Sequence, residues 1–264
     1  VIIRGYADTP LGQIHFAECD SGAPMLLLHQ TPRSWDEYRE LLPLLGARRR
    51  AIAMDTLGFG QSAAPPEHSI EAYAAGALAL LDALDLDQVD LLGHHTGGVV
   101  AIEVAACAPA RVRRLVLSST PFVDAAARER RRHRPPIDLV ETQPDGRHLA
   151  ELWERRRSFY PEGRPDLLTR FVRDALRLQA DELEAGHEAV GRYRMEQRLP
   201  LVTCPVLCLG ASADPYAFPE LEPLARHLAH ATITVVEGGM VPLMEERASD
   251  VAAAVLDFLA GERP

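Results

Sequence analysis

Gly93-His94-His95-Thr96-Gly97 follows directly on the apolar run Val89–Leu92 and opens a helical pattern that continues to Cys107. A strand that turns sharply into a helix through a G-x-X-x-G pentapeptide lifts its central side chain above the sheet edge. Gly93 and Gly97 supply the missing bulk that such a bend needs beside its neighbouring strand and helix. The central residue is His95, where a nucleophilic Ser, Cys or Asp ordinarily stands. The turn is therefore expected to present an imidazole to whatever lies above it.

Outward from this turn, short apolar runs alternate with helical patterns, as in a mostly parallel sheet covered on both faces. Val1–Tyr6 and Gln13–Ala17 read as a hairpin turning at Thr9–Gly12. Met25–His29 and Arg50–Met54 read as strands, with a helix over Trp35–Leu45 between them. Ser69 is placed to cap a helix reaching about Leu84, with Leu78, Leu81 and Leu84 along one face. Arg114–Ser118, Val206–Gly210 and Ile233–Val236 are further strands. Pro219–Leu228 and Asp250–Leu259 are helices, the second with Val251, Val255, Phe258 and Leu259 on one stripe.

Between residues 122 and 199 the strand–helix rhythm stops. This stretch is rich in Arg and Glu, helical in pattern, and holds Trp153, Phe159, Tyr160, Phe171 and Tyr193. It is expected to be a helical cap inserted into a core made of residues 1–121 and 200–264.

Composition narrows the function. The 264-residue chain has a formal net charge of −10, which argues against nucleic acid as a partner. No apolar run is long enough to span a membrane, and the strand-like start lacks the features of a signal peptide. A cytoplasmic location is the expectation. The chain contains no lysine, so a Schiff base on a protein lysine is excluded. Cys19, Cys107, Cys204 and Cys208 have no metal-ligand spacing and read as reduced thiols. His29, His94 and His95 would be the only histidine grouping to weigh for a metal, and no carboxylate completes a ligand pattern; neither a metal nor an organic cofactor is expected. A small-molecule substrate is the expected partner, and a homodimer is left open.

Four segments together resemble the α/β-hydrolase superfamily. Leu26-Leu27-Leu28-His29-Gln30-Thr31-Pro32 is similar to its first buried strand and oxyanion loop. Met54-Asp55-Thr56-Leu57-Gly58-Phe59-Gly60-Gln61-Ser62 is similar to its D-x-x-G-x-G-x-S turn. The pentapeptide at 93–97 is similar to its nucleophile elbow, and Leu209–Pro215 to the loop that carries the triad acid. The resemblance implies an eight-stranded, mostly parallel sheet with helices on both faces. It also implies Asp214 as the acid, and the backbone N–H groups of Gln30 and Thr96 as oxyanion donors. A structural hydrogen-bonding role follows for His29, and an anchoring role in its own turn for Asp55.

The chain departs from that pattern twice. His95 holds the nucleophile position, and Met240, in Glu237–Leu243, holds the place of the catalytic histidine. Methionine cannot move a proton. The expected arrangement is a His95–Asp214 pair, with the carboxylate orienting an imidazole that acts as a general base. His94, Arg33, Trp35 and Met240 are candidates for the pocket wall, Pro242 and Met244 also being expected there. Arg33 has either a substrate carboxylate or a surface acid as its partner. The run Arg128–Arg134 reads either as a solvated face or as a funnel for an acidic substrate.

Three functions follow. The first is hydrolysis of a small carbonyl or ester-like molecule without a serine nucleophile. The second is a cofactor-free lyase, isomerase or cyclase that works by proton abstraction. The third is a non-catalytic binding protein that reuses the pocket.

Overall fold

Along the central strands, successive apolar side chains go to opposite faces and build two separate cores. Leu26 and Leu28 join one and Met25 and Leu27 the other; Ile52 and Met54 oppose Ala51 and Ala53, and Leu115 and Leu117 oppose Val116. This period-two division is what a sheet buried on both sides requires. A computed structural model describes residues 1–179 and 182–261.

The strands are β1 Ile2–Thr9, β2 Gly12–Cys19, β3 Pro24–Leu28, β4 Arg50–Met54, β5 Val89–His94, β6 Val112–Ser118, β7 Val206–Ala211 and β8 Ala231–Val236. They form one sheet in the order β1-β2-β4-β3-β5-β6-β7-β8. β1 and β2 are an antiparallel hairpin, β2 meets β4 antiparallel, and every other pairing is parallel.

The helices sort by layer. α1 Leu41–Gly46 and α11 Ala248–Ala260 cover one face, and α2 Ile70–Ala83, α3 Thr96–Cys107 and α9 Leu221–Arg226 the other. Ser69 caps α2 by accepting from the Ala72 N–H at 3.1 Å. The face of α2 that packs inward is Tyr73, Ala77, Leu80 and Leu81, with Leu78 and Leu84 only partly buried. In α11, Val251, Val255 and Leu259 are buried and Phe258 partly so. The two long helices expected at 35–45 and 219–228 are each broken into a 3-10 turn followed by a short helix.

Between β6 and β7 lie α4 Ala125–Arg132, α5 Arg147–Arg157, α6 Pro165–Ala175, α7 Ala185–Arg192 and α8 Met195–Arg198. Leu152, Tyr160, Leu167, Leu168 and Phe171 form a small core of their own here. A short α10, Leu243–Glu246, follows β8. Among the described residues, no helix is long and apolar enough to cross a membrane.

Candidate active site

The C-terminal ends of β3, β5, β7 and β8 converge. In an open α/β sheet this is where ligands bind. The bend after β5 is as tight as its glycines imply. A Cβ on Gly93 would strike the Gly97 carbonyl, and one on Gly97 would strike the carbonyl of Leu28. His95 sits at φ 48° and ψ −116°, a backbone state costly for any residue with a Cβ. Its N–H donates to the Ser118 carbonyl at 3.0 Å, which ties the bend to β6.

His95 Nε2 lies 2.9 Å from Asp214 Oδ2. Neither atom has another partner among the described residues. Asp214 is fixed from the other side: its Oδ1 accepts from the N–H groups of Tyr216 at 2.9 Å and Ala217 at 3.2 Å. Burial pushes this carboxyl up, but His95 and the two N–H donors outweigh it and leave the pKa at about 2. The carboxylate is therefore charged at neutral pH. With Nε2 turned to Asp214, Nδ1 is the ring nitrogen without a partner among the described residues.

His94 is placed differently from the sequence expectation of a pocket residue. It is wholly buried. Nε2–H donates to the Val241 carbonyl at 3.0 Å, and Nδ1 accepts from the Ser118 hydroxyl at 3.1 Å. Burial pushes its pKa down to about 3, and the adjacent His95 acts in the same direction. His94 is a neutral strut between β6 and the loop after β8.

Arg33 likewise leaves the pocket, because the interior already satisfies it. It is fully buried and forks onto Glu245 at 2.9 and 3.0 Å, while its Nε donates to Asp174 of α6 at 3.0 Å. Its partners are buried acids and not surface ones, and it ties the inserted helices to the core. Trp35 is no pocket wall either. Its ring is flanked by the guanidinium groups of Arg4 and Arg39 at 5.9 and 6.0 Å.

The loop after β3 requires a further correction. The backbone N–H of Gln30, expected to be an oxyanion donor, is taken by the Glu37 carboxylate at 2.9 Å, and its side-chain amide by the same group at 2.6 Å. One residue on, the Thr31 N–H has no partner among the described residues, and neither has that of Thr96. The hydroxyls of these two threonines meet at 3.0 Å. His29 donates from Nδ1 to the Gln30 carbonyl at 2.7 Å and accepts at Nε2 from the Thr56 N–H at 3.0 Å. Asp55 accepts from the N–H groups of Trp35 and Gln61, which anchors its turn.

These groups enclose a cavity of about 70 Å³, lined on the sheet side by Gln30, Thr31, His95, Thr96 and Val241. From the loop after β8 it is Val241 that reaches the cavity. Met240 is half-buried outside it, and Met244 belongs to the core under α11. The inserted helices and their flanks contribute Arg131, Arg134, Ile137, Arg156, His187 and Val190. Sequence reading attached no role to Arg156 or His187. Arg156 donates to Asp138 at 2.6 Å and stacks 4.8 Å from the Phe171 ring, and His187 meets the same carboxylate at 3.0 Å. Nothing local in the sequence marks that trio, whose members lie 18 to 49 residues apart.

Comparison with known proteins agrees with this fold. A family model described as alpha/beta hydrolase fold matches residues 23–245. A bifunctional epoxide hydrolase 2 of Sus scrofa is 33% identical over 136 residues, which is 50% of this chain and 24% of that protein. A 2-hydroxymuconate semialdehyde hydrolase of Pseudomonas sp. (strain CF600) is 40% identical over 111 residues, 39% of each chain. The chain thus spans well under half the length of these two relatives. Among solved structures, a thermophilic esterase from Thermogutta terrifontis superposes with a TM-score of 0.77 at 26% identity, covering 97% of this chain and 98% of that one.

Proposed function

This chain belongs to the α/β-hydrolase family, and from that premise we propose that it hydrolyses a small carbonyl or ester-like substrate with His95 as general base. The observation that carries the proposal is the 2.9 Å contact between His95 Nε2 and Asp214 Oδ2, at the tip of a turn beside two unpartnered N–H groups.

In this reading Asp214 holds the proton on Nε2 and leaves Nδ1 as the base. A water in the cavity gives its proton to Nδ1 while its oxygen attacks the acyl carbon. The carbonyl oxygen becomes an oxyanion facing the N–H groups of Thr96 and Thr31. Collapse of the tetrahedral species expels the alkoxide, which recovers the proton from His95. No acyl-enzyme forms, because no serine stands at the bend. Removing one oxyanion donor typically costs about 3–4 kcal/mol of transition-state stabilisation, and a positioned base contributes ~10²–10⁴-fold. The helices between β6 and β7 act as a cap that closes the cavity from above. Hydrolysis is also the chemistry named for the two curated relatives and the esterase.

A panel of short p-nitrophenyl esters and lactones tests the reading. Turnover is expected in the wild type and lost in His95→Ala. Equal rates in the two proteins would refute it.

A further inference from the structure

The arginines that reach the cavity from the inserted helices are unequal. Arg156 has Asp138 against it. In the run 128–134, Arg128 is forked onto Glu196 and Arg132 is paired with Glu129. Arg131 and Arg134, the two members of the run that line the cavity, have no carboxylate partner among the described residues. Arg131 is half-buried, which is unfavourable for a guanidinium without a carboxylate partner. Burial pushes its pKa down, and repulsion from Arg134 adds to this against a weaker pull from Glu220.

The same two arginines also line a surface groove of about 350 Å³, which shares Ile137 and His187 with the inner cavity. They stand at the neck between solvent and His95. The nearest groove acids are already engaged: Glu184 accepts from the Asp138 and Leu139 N–H groups, and Glu188 lies 3.6 Å from Arg192. Around the neck, Arg156 is neutralised by Asp138 and His95 faces Asp214. Among the described residues, Arg131 and Arg134 remain without a carboxylate partner.

We propose that Arg131 and Arg134 form an anion subsite at the cavity neck, which takes a carboxylate or phosphate carried by the substrate at the end remote from the reacting carbonyl. The guanidinium fork suits both groups, since each offers paired oxygens to parallel N–H donors. This deepens the proposed hydrolase reading, on which it depends only for where the carbonyl end lies.

Calorimetric titration separates the two ideas. Succinate, inorganic phosphate and neutral succinamide (the diamide, inert to the proposed ester hydrolysis) are titrated into the wild type, Arg131→Gln, Arg134→Gln, Arg131→Lys and His95→Ala. The wild type should bind at least one anion about tenfold more tightly than the diamide, the scale of one charge-assisted hydrogen bond. Each glutamine variant should lose most of that preference, and Arg131→Lys should keep more of it. His95→Ala should keep it in full, so a failure of the base assignment leaves this test untouched. Tighter binding of phosphate than succinate supports the subsite and assigns it to phosphate; the reverse assigns it to carboxylate. Arg134 is exposed, so its variant decides the matter should Arg131→Gln not fold. Equal binding of succinate and diamide, no binding of either anion, or a preference that survives both glutamine variants would overturn the proposal.

Discussion

The rings of His94 and His95 meet edge to face with centroids 4.6 Å apart, yet their surroundings set them to opposite tasks. Both nitrogens of His94 are used by Ser118 and Val241, whereas among the described residues only Nε2 of His95 is engaged, by Asp214. Adjacent residues on a strand end point to opposite sides. Here one side is the interior beneath the last loop, and the other is the cavity.

The buried state of His94 makes the fold acid-sensitive. Its pKa in the folded chain, about 3, lies below the ordinary value of 6.5. Below pH 6.5 the unfolded chain takes up a proton that the folded chain refuses, so stability present at neutral pH is lost as pH falls from about 6.5 toward 3. Melting temperature against pH should therefore drop across that window, and His94→Leu should show a shallower drop. At pH 7 the same variant should be less stable by about 1–3 kcal/mol, because the Val241 carbonyl is left buried without a donor. An unchanged acid slope would contradict the assignment.

Arg33 should matter for stability and not for substrate. Arg33→Ala removes the fork from buried Glu245, leaving it Arg170 at 3.3 Å, and leaves buried Asp174 without a guanidinium, a defect worth up to about 3–5 kcal/mol. Urea unfolding should show the loss, while KM measured well below the melting point stays near the wild-type value. A large rise in KM with stability intact would return Arg33 to the pocket.

Reagents that trap serine hydrolases should fail on the wild type. His95→Ser should stay unlabelled by a fluorophosphonate as well, because no histidine lies in 237–243 and His94 has no nitrogen to spare. Labelling of the new serine would mean that another histidine reaches the bend.

Gly97→Ala tests the bend itself. The added methyl would run into the Leu28 carbonyl, which is backbone at the end of a central strand and cannot yield. Expression as insoluble protein, or a loss of stability with loss of turnover, is expected. A soluble variant with wild-type activity would show that α3 approaches β3 less closely than described.

Much of the fold was legible because its signals are local. The G-x-X-x-G bend, the Ser69 cap and the short apolar strand runs each depend on residues a few positions apart, and Thr96–Cys107 and Arg50–Met54 were read to the residue. The parts of the site that sequence misplaced depend on pairings between distant residues. Arg33 finds Asp174 and Glu245 at separations of 141 and 212 residues. The Gln30 amide was lost to Glu37, only seven residues on, because the 3-10 turn at Trp35–Tyr38 folds that carboxylate back on the loop. Arg131 and Arg134 looked like part of one charge run; Arg128 is set apart from them by Glu196, 68 residues on, and Arg132 by Glu129 on its own helix.

The most direct measurement is single-turnover hydrolysis of p-nitrophenyl acetate by the wild type, His95→Ala and Asp214→Asn, each first shown to be folded. A base at the bend oriented by Asp214 predicts that His95→Ala loses about 10²–10⁴-fold. Asp214→Asn should lose a smaller but clear factor, with no burst of nitrophenol in any of the three. Wild-type rates in His95→Ala, or a stoichiometric burst that reveals a covalent acyl intermediate, would contradict it.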